Sequence, residues 1–414
     1  MSTRPDELVD VAADGGTPVA LDVPPPIVSE SATLTPALWM RYAAEPSRVR
    51  TGNRVRLLRD GRATFPEMLA AIAGAHQHVN LASYTFNSDV TGRTFAEALT
   101  ERAKAGVEVN LIYDAIGSSD ASQDIFDRMT AAGVNVIEYH PLRPWAPRWG
   151  WWRRDHRKIL VVDGEIGFTG GVNIADSFAP PEKGGGGWRD THIKIEGPVV
   201  GDLQRFFIAV WRRAGGRRLH KKAYLPPLKQ AGATPSRVIG NTLLWNRWAI
   251  RKAVLQAFRA AERSIWIANA YFIPDNTIDA ELLRARARGV DVRLMLPRKS
   301  DVKIVAFAAR SYYQALLDEG VRIFEWTGPL LHAKTMGVDG VWSAVGSFNL
   351  DRWSLLNNLE VSLTLFDPAV AAELERMFVE DALLCEEIVP AAWRLRHARE
   401  RWLERLAGLL SPWL

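Results

Sequence analysis

The stretch RRDHRKILVVDGEIGFTGGVNIAD, residues 153–176, has a polar entrance, an apolar run, an Asp-Gly turn and a return rich in small residues. This pattern predicts a β-hairpin, because Asp-Gly favours a tight turn in which glycine takes a positive φ. Alternate side chains of a strand share a face, so we expect His156 and Lys158 to point together. The stretch alone fits either a buried hairpin with a solvated His-Lys pair or half of a chemical site.

A second copy of this stretch, HAKTMGVDGVWSAVGSFN, occupies residues 332–349. Five residue types recur at equal spacing in the two copies: His156, Lys158, Asp163, Gly170 and Asn173 in the first, and His332, Lys334, Asp339, Gly346 and Asn349 in the second. Repetition at a fixed spacing within equivalent surroundings argues against chance. The doubled pattern therefore favours two half-sites of one active centre over two solvated pairs.

The repeat extends beyond the two motifs. Residues 79–115 and 264–297 each read as strand, polar loop, helix, small-residue turn and strand, and 134–138 matches 321–325. Such βαβ units predict parallel strands covered by helices, hence an α/β protein with two similar lobes. The predicted divisions are an N-terminal leader and helix (1–50), a first lobe (51–220), a basic Pro/Gly-bearing linker (221–237), a second lobe (238–390) and an amphipathic C-terminal tail (391–414).

The composition indicates a packed protein that has an anionic partner. Of 414 residues, 47% are hydrophobic and 24% charged, and the formal net charge is +5. This modest excess suits a phosphate ester or an acidic membrane surface. The single cysteine, Cys385, excludes a disulfide within the chain and a cysteine-rich metal site. Neither a signal peptide nor an apolar run of about 18 residues is present, so we expect a soluble or peripheral protein.

Placed face to face, the two copies would supply two histidines, two lysines and two asparagines, a set that suits a phosphodiester. One histidine can attack phosphorus and form a phosphohistidine, while the other protonates the departing alcohol and deprotonates the incoming one. Lys158, Lys334, Asn173 and Asn349 would surround the phosphate oxygens. Because the lysines supply the positive charge, we expect neither a metal nor a cofactor.

Carboxylates take two different roles in this hypothesis. Asp163 and Asp339 complete the catalytic motifs, but their odd offset from the histidines places them at the hairpin turns, where we expect a structural role. A reactive imidazole also needs a carboxylate on its second nitrogen. Asp190 and Glu360 are the candidates, and they follow the histidines of their own copies by 34 and 28 residues.

Two segments combine tryptophan with arginine: RPWAPRWGWWRR (143–154) and the tail WRLRHARERWLERLAGLLSPWL (393–414). The tail is typical of a helix at a membrane interface. The alternative is a helix that docks on the protein's own core, and the sequence leaves both interpretations open. We expect the first segment to form the approach from the site to the membrane.

The two His-x-Lys-x4-Asp motifs with their asparagines resemble the phospholipase D superfamily over residues 55–390. Within it, the motif segments and YFIPD are similar to bacterial cardiolipin synthases, and the length and Trp/Arg-rich tail resemble the shorter B-type enzymes. The resemblance implies two α/β lobes whose motifs meet at a pseudo-two-fold interface. It also implies His156 as nucleophile, His332 as general acid/base, and Asp190 and Glu360 as orienting carboxylates.

The activity implied by the resemblance is phosphatidyl transfer from one phosphatidylglycerol to another, which gives cardiolipin and glycerol. The partners would be this phospholipid and an anionic membrane surface, with the protein peripheral on the cytoplasmic face of the bacterial cell membrane. An alternative is a phospholipase D that uses water or another alcohol as acceptor, since the catalytic residues would be the same. A nuclease is disfavoured by the modest charge and the Trp-rich flanks, so no nucleic acid partner is expected.

Overall fold

The computed structural model describes residues 35–141, 152–219, 221–227, 229–241 and 248–410. The N-terminal leader up to residue 34, most of the Trp-rich segment 143–154 and the last four residues lie outside the described residues. The expectation that the Trp-rich segment approaches a membrane therefore stays a prediction.

The first lobe is built from seven strands and the helices between them. Its strands are β1 (Arg50–Arg59), β2 (His78–Ser83), β3 (Glu108–Asp114), β4 (Asn135–Tyr139), β5 (Ile159–Val162), β6 (Ile166–Gly170) and β7 (Thr191–Glu196). The short helix α1 (Pro36–Met40) precedes this lobe, and α6 (Lys221–Tyr224) follows it. The helices of the lobe itself are α2 (Asp60–Ala73), α3 (Val90–Lys104), α4 (Gln123–Ala131) and α5 (Val200–Arg213).

The second lobe repeats this plan and adds elements at its end. Its strands are β8 (Thr234–Gly240), β9 (Ser264–Asn269), β10 (Phe272–Ile273), β11 (Asp291–Pro297), β12 (Arg322–Trp326), β13 (Lys334–Val338), β14 (Trp342–Gly346), β15 (Leu350–Asp351), β16 (Val361–Phe366) and β17 (Cys385–Glu387). Its helices are α7 (Ala249–Ala260), α8 (Asn276–Ala287), α9 (Lys303–Asp318), α10 (Arg352–Leu356), α11 (Pro368–Ala382), α12 (Pro390–Arg394) and α13 (Ala398–Leu409).

Within the described part of the chain, fifteen strands form one sheet in the order β17-β12-β11-β9-β13-β14-β16-β8-β1-β7-β6-β5-β2-β3-β4. The order reads the same outward from the antiparallel β8–β1 pair on both sides, apart from β17 at one edge. The βαβ units give the parallel neighbours β2–β3 and β9–β11, as the sequence repeat predicts. The α/β fold with two similar lobes is confirmed, and its pseudo-two-fold relation passes between β1 and β8.

The predicted motif hairpins are the antiparallel pairs β5–β6 and β13–β14. At their tips Asp163 and Asp339 have φ values of 53° and 56°. The carboxylate of Asp163 accepts hydrogen bonds of 2.8 Å from the backbone N–H groups of residues 76–78. Asp339 accepts equivalent bonds of 2.8–2.9 Å from residues 262–264. Each aspartate thus ties its hairpin to the start of the neighbouring strand, which is the structural placement expected from its offset.

The division between the lobes lies close to the predicted linker. Strand β8 begins at Thr234, inside the segment 221–237, and it pairs with β1 in the continuous sheet. The exact domain limits stay a proposal. None of the helices in the described ranges is long and apolar enough to cross a membrane.

The tail packs on the second lobe with one face only. Ala407 of α13 is buried in a small apolar cluster with Ala308 of α9, and Arg396 pairs with Glu404 at 2.6 Å. The opposite face of α13 exposes an apolar stripe at helical spacing, formed by Trp402, Leu406 and Leu409. The tail is therefore docked on the core, and the interpretation as a membrane-interface helix stays a prediction.

Candidate active site

A cavity of about 550 Å³ lies where the two motif hairpins meet. His156 and Asn173 of the first copy line it together with His332 and Asn349 of the second. Each asparagine therefore shares the cavity with the histidine of its own copy. Lys158 and Lys334 are buried next to the histidines but are not among the lining residues, and Asp163 and Asp339 lie away at the hairpin tips.

The two histidines bind carboxylates that are exchanged between the lobes. His156 Nδ1 lies 3.0 and 3.1 Å from the two oxygens of Glu360, and His332 Nδ1 lies 2.6 Å from Asp190 Oδ2. In the sequence each carboxylate follows its own copy's histidine, whereas in the fold it pairs with the other copy's. Asp190 and Glu360 thus occupy the predicted type of position, but each half-site needs both lobes.

Main-chain bridges between the lobes account for this exchange. The backbone N–H of His156 donates to Leu359 O at 3.0 Å, so the residue before Glu360 is held against the histidine. In the same way, His332 N–H donates to Arg189 O at 2.7 Å, one residue before Asp190. Each bridge sets histidine and carboxylate side by side across the interface.

The carboxylates determine which nitrogen of each ring is available. An ionised carboxylate at Nδ1 holds the proton there and leaves the lone pair of the neutral ring on Nε2. Burial lowers the pKa of His156, and the carboxylate of Glu360 opposes that effect. Burial and the ammonium groups of Lys334 and Lys158 lower the pKa of His332 further. These shifts favour the neutral imidazole in both half-sites, with its lone pair on Nε2.

Both motif lysines donate to the main-chain oxygen of the histidine two residues earlier, Lys158 to His156 O at 2.7 Å and Lys334 to His332 O. Burial lowers the pKa of Lys158 to about 7 and that of Lys334 to about 8. Two cations held close together in a low-dielectric interior make this a site for an anion, since a bound anion relieves their repulsion.

The surroundings of the two orienting carboxylates differ. Ser347 Oγ donates to Glu360 Oε2 at 2.5 Å. Gly171 is the equivalent of Ser347 in the first copy, and a Cβ there would lie 2.1 Å from Asp190 Oδ1. The shorter aspartate thus lies where the serine side chain would be. This contact explains why one copy has Gly-Gly and the other Gly-Ser.

Arg189 is a functional candidate that the sequence analysis missed. Its buried side chain bonds Asp381 of α11 through Nε at 2.7 Å and Asp60 through Nη1 at 3.2 Å. It also donates to the carbonyl oxygen of Asp190. The equivalent residue of the other half-site is Leu359, which has no charge. Comparison of the residues that precede the two carboxylates in the sequence could therefore have identified Arg189.

Aromatic side chains pack against each imidazole, and they too differ between the halves. Tyr84 lies edge-on to His156 with ring centroids 4.8 Å apart, and Lys158 Nζ lies 5.3 Å from the centroid of the same ring. Phe178 and Trp188 contact His332 at 5.2 and 5.7 Å. Tyr84 also lines the cavity.

Comparison with protein families gives a match to the model described as cardiolipin synthase, PLD-like domain, over residues 68–179 and 254–382. Among individual relatives, a cardiolipin synthase of Geobacillus kaustophilus is 35% identical over 400 residues, which cover 94% of this chain and 79% of that protein. A probable cardiolipin synthase of Bacillus subtilis is 32% identical over 369 residues, covering 88% and 73%.

Solved structures share the fold at low sequence identity. A phosphatidylserine synthase of Haemophilus influenzae superposes with a TM-score of 0.66 at 12% identity, over 87% of this chain and 95% of that one. A polyphosphate kinase of Porphyromonas gingivalis gives a TM-score of 0.52 at 13% identity, over 80% and 50%. At these identities the structural likeness carries the fold alone.

Proposed function

Because the chain belongs to the cardiolipin synthase family of PLD-like proteins and is a phosphatidyltransferase that makes cardiolipin, we propose that it joins two phosphatidylglycerol molecules and releases glycerol. The observation that carries this proposal is the pair of exchanged histidine–carboxylate contacts that open on one cavity. Two such pairs, flanked by two lysines and two asparagines, supply both a nucleophile and a proton carrier for one phosphodiester.

In the proposed first step His156 Nε2 attacks the phosphorus of the donor. The P–N bond forms, the bond from phosphorus to the headgroup oxygen breaks, and His332 gives its proton to that oxygen as glycerol leaves. The anionic phosphodiester supports this step, because its charge offsets the two ammonium groups that lower the pKa of His332. Substrate binding thereby favours the protonated acid.

In the second step a headgroup hydroxyl of another phosphatidylglycerol gives its proton to His332 and attacks phosphorus. The P–N bond breaks, His156 is restored and cardiolipin leaves. Lys158, Lys334 and the amide groups of Asn173 and Asn349 stabilise the extra negative charge on the non-bridging oxygens in both steps. The lower basicity of a buried imidazole also favours its departure from phosphorus in this step.

The direct test incubates the purified protein with phosphatidylglycerol vesicles and measures cardiolipin, glycerol and phosphatidic acid. Cardiolipin and glycerol in equal amounts are expected, whereas phosphatidic acid as the main product would assign water as acceptor. His156→Ala and His332→Ala should each lower cardiolipin formation by at least about 10³-fold. His76→Ala is the matched control, because His76 is exposed and its side chain is remote from the cavity lining.

A covalent intermediate gives a second test of the proposed roles. With radiolabelled phosphatidylglycerol, the wild-type protein should retain acid-labile label that maps to His156. His332→Ala should slow the release of that label, since deprotonation of the acceptor depends on His332. Label on His332 instead of His156 would reverse the two assignments.

We also propose that the protein binds the cytoplasmic face of the cell membrane through its second lobe. Val302 and Trp353, which line the cavity, are about two-fifths exposed at 41% and 39%. Helix α9 leads from this mouth to α13, whose apolar stripe of Trp402, Leu406 and Leu409 is flanked by arginines. Apolar side chains with flanking cations are typical of an interfacial helix on an anionic surface.

Vesicle sedimentation tests this placement. A variant with Trp402→Ser, Leu406→Ser and Leu409→Ser should bind phosphatidylglycerol vesicles at least about tenfold more weakly, since each lost apolar contact is worth about 1 kcal/mol or more. The control carries Leu383→Ser and Leu384→Ser, which are equally exposed apolar residues after α11. Equal binding by both variants and the wild type would contradict membrane attachment through α13.

A further inference from the structure

The cavity is acidic on the side of the second lobe. Asp301 and Asp351 line it there, and the first copy has Ala175 at the position of Asp351. Both carboxylates oppose the lowering of the Lys334 pKa, and Asp301 does so for His332, whereas neither is among the main influences on His156. These groups therefore face the half of the site that handles the alcohol.

Among the residues described, no hydrogen-bond donor reaches the side-chain oxygen of Asn349 on the second-lobe side of the cavity. The residue is 2% exposed and lines the cavity, and its Oδ1 has no partner among the residues described. The equivalent oxygen of Asn173 accepts the backbone N–H of Thr85 at 3.1 Å. A carbonyl oxygen cannot bond a phosphate oxygen, because both are acceptors. Burial of an unpaired acceptor is costly, so a ligand that donates a hydrogen bond fits this position.

Asp301 is held in place for a similar contact. The hydroxyl of Tyr271 donates to its two carboxylate oxygens, at 2.7 Å to Oδ1 and 2.8 Å to Oδ2. Oδ1 also accepts the Val302 backbone N–H at 3.1 Å, while Oδ2 keeps lone pairs free. Tyr271 and Asp301 both line the cavity, so the fixed carboxylate offers an acceptor to a bound headgroup.

Asp351 adds a third polar group at the end of the strand that follows Asn349. Its Oδ1 accepts the backbone N–H of Ser354 at 2.5 Å and its Oδ2 the hydroxyl of that residue at 3.1 Å. Burial raises the pKa of Asp351 to about 8. A protonated carboxyl can both donate to and accept from a hydroxyl.

We propose that Asp301, Asp351 and Asn349 form a glycerol subsite that binds the free hydroxyls of the departing or attacking headgroup beside His332. This inference rests on the proposed function and names the specificity of its acid/base half. The Asp301 carboxylate repels phosphate oxygens, so it directs the phosphate to the lysines and the hydroxyls to the second-lobe wall. A vicinal diol supplies the donors that these acceptors lack.

Acceptor competition tests the subsite. The protein is given phosphatidylglycerol together with labelled glycerol and 1-propanol, and the transfer products, labelled phosphatidylglycerol and phosphatidylpropanol, are measured. 1-Propanol keeps the reacting hydroxyl but lacks the other two. The wild type should prefer glycerol, and Asp301→Ala should reduce that preference at least about tenfold, because sites built to bond a hydroxyl discriminate strongly against its absence.

Two further variants refine the result. Tyr271→Phe frees the carboxylate of Asp301 and should reduce the glycerol preference less than Asp301→Ala does. Asp120→Ala is the matched control, since this carboxylate lines the first-lobe side of the same cavity, and the preference should be unchanged. Thermal unfolding of each variant checks that the protein remains folded.

The possible outcomes separate this inference from the proposed function. If Asp301→Ala slows transfer to glycerol and to 1-propanol in parallel, Asp301 supports the charge on His332 and the subsite is overturned. The same holds if Asp120→Ala has the larger effect on the preference. If the wild type forms no transfer product at all from phosphatidylglycerol, the proposed function itself is wrong.

Discussion

The two histidine–carboxylate pairs share a backbone arrangement and differ in what surrounds the carboxylate. Glu360, the partner of His156, accepts neutral donors from Ser347 and Asn358. Asp190, the partner of His332, lies next to Arg189, which is bonded to carboxylates of both lobes. The pseudo-two-fold relation thus conserves the position of each group while the side chains behind it have diverged.

The difference teaches how one duplicated unit can supply two chemical roles. Neutral hydrogen bonds to Glu360 spread its charge and weaken its attraction for the ring proton of His156, which suits the proposed role of this histidine as the group that leaves phosphorus. Burial raises the pKa of Asp190 to about 6, so at neutral pH this carboxylate is mostly ionised and holds the ring proton of His332 on Nδ1. The lone pair on Nε2 of His332 is then available for its proposed proton transfer.

Removal of the carboxylate charge from either pair should have the largest effect on activity. Glu360→Gln and Asp190→Asn should each lower kcat for cardiolipin formation by about 10³-fold, because the amide donates to Nδ1 and moves the ring proton to Nε2. Steady-state lipid product assays measure the effect, with exposed Glu319→Gln as control. A loss of less than about tenfold would show that ring orientation does not depend on these charges.

Exchange of the small residues behind the carboxylates should have unequal effects. Gly171→Ala places a Cβ at 2.1 Å from Asp190 Oδ1, so the carboxylate must move, and we expect activity to fall by about 10²-fold. Ser347→Gly removes one hydrogen bond to Glu360 without a clash, and a loss of about tenfold is expected. Equal losses in the same product assay would contradict the asymmetry of the two pairs.

Arg189→Met tests the charged network alone. The change removes one of the two cations that pair with Asp381, the other being Arg59, so the free energy of unfolding should fall by about 1–3 kcal/mol. Denaturant unfolding measures this, and Asp381→Asn in the Arg189→Met background should restore part of the loss. If the second change destabilises the protein further, Arg189 does not act by neutralising Asp381.

The smallest expected effect is the pH dependence of kcat/KM. The orienting carboxylate works when ionised, so activity should fall below the Asp190 pKa of about 6. The lysines work when protonated, so activity should also fall as the pH rises through the pKa values of Lys158 and Lys334, about 7 and about 8. A flat profile between about pH 5 and about pH 9 would contradict these assignments.

Much of the fold could be predicted because it depends on local periodicity and on repetition. The βαβ units, the hairpins and the positions of Asp163 and Asp339 follow from strand alternation and turn chemistry. The continuous sheet could not be derived in this way, since the β1–β8 pair depends on how the lobes dock. Nothing in the spacing of one lobe specifies its edge partner in the other.

The site shows the same limit. The histidines, lysines and asparagines could be identified from the doubled motif, and Asp190 and Glu360 from their order after it. Their exchanged pairing could not, because it follows from main-chain bridges formed only at the interface. Arg189 and Asp351 lie where the two copies differ, so a search for shared residues passes over them.

The exchanged carboxylates also bear on how the protein is made. The first lobe emerges from the ribosome before the second, and N-terminal units commonly fold first. At that stage His156 has no Glu360, because that residue is still to be synthesised, and Asp190 has no imidazole to orient. The nascent first lobe therefore lacks a complete site for reaction with lipid until translation of the last quarter of the chain supplies the missing partners.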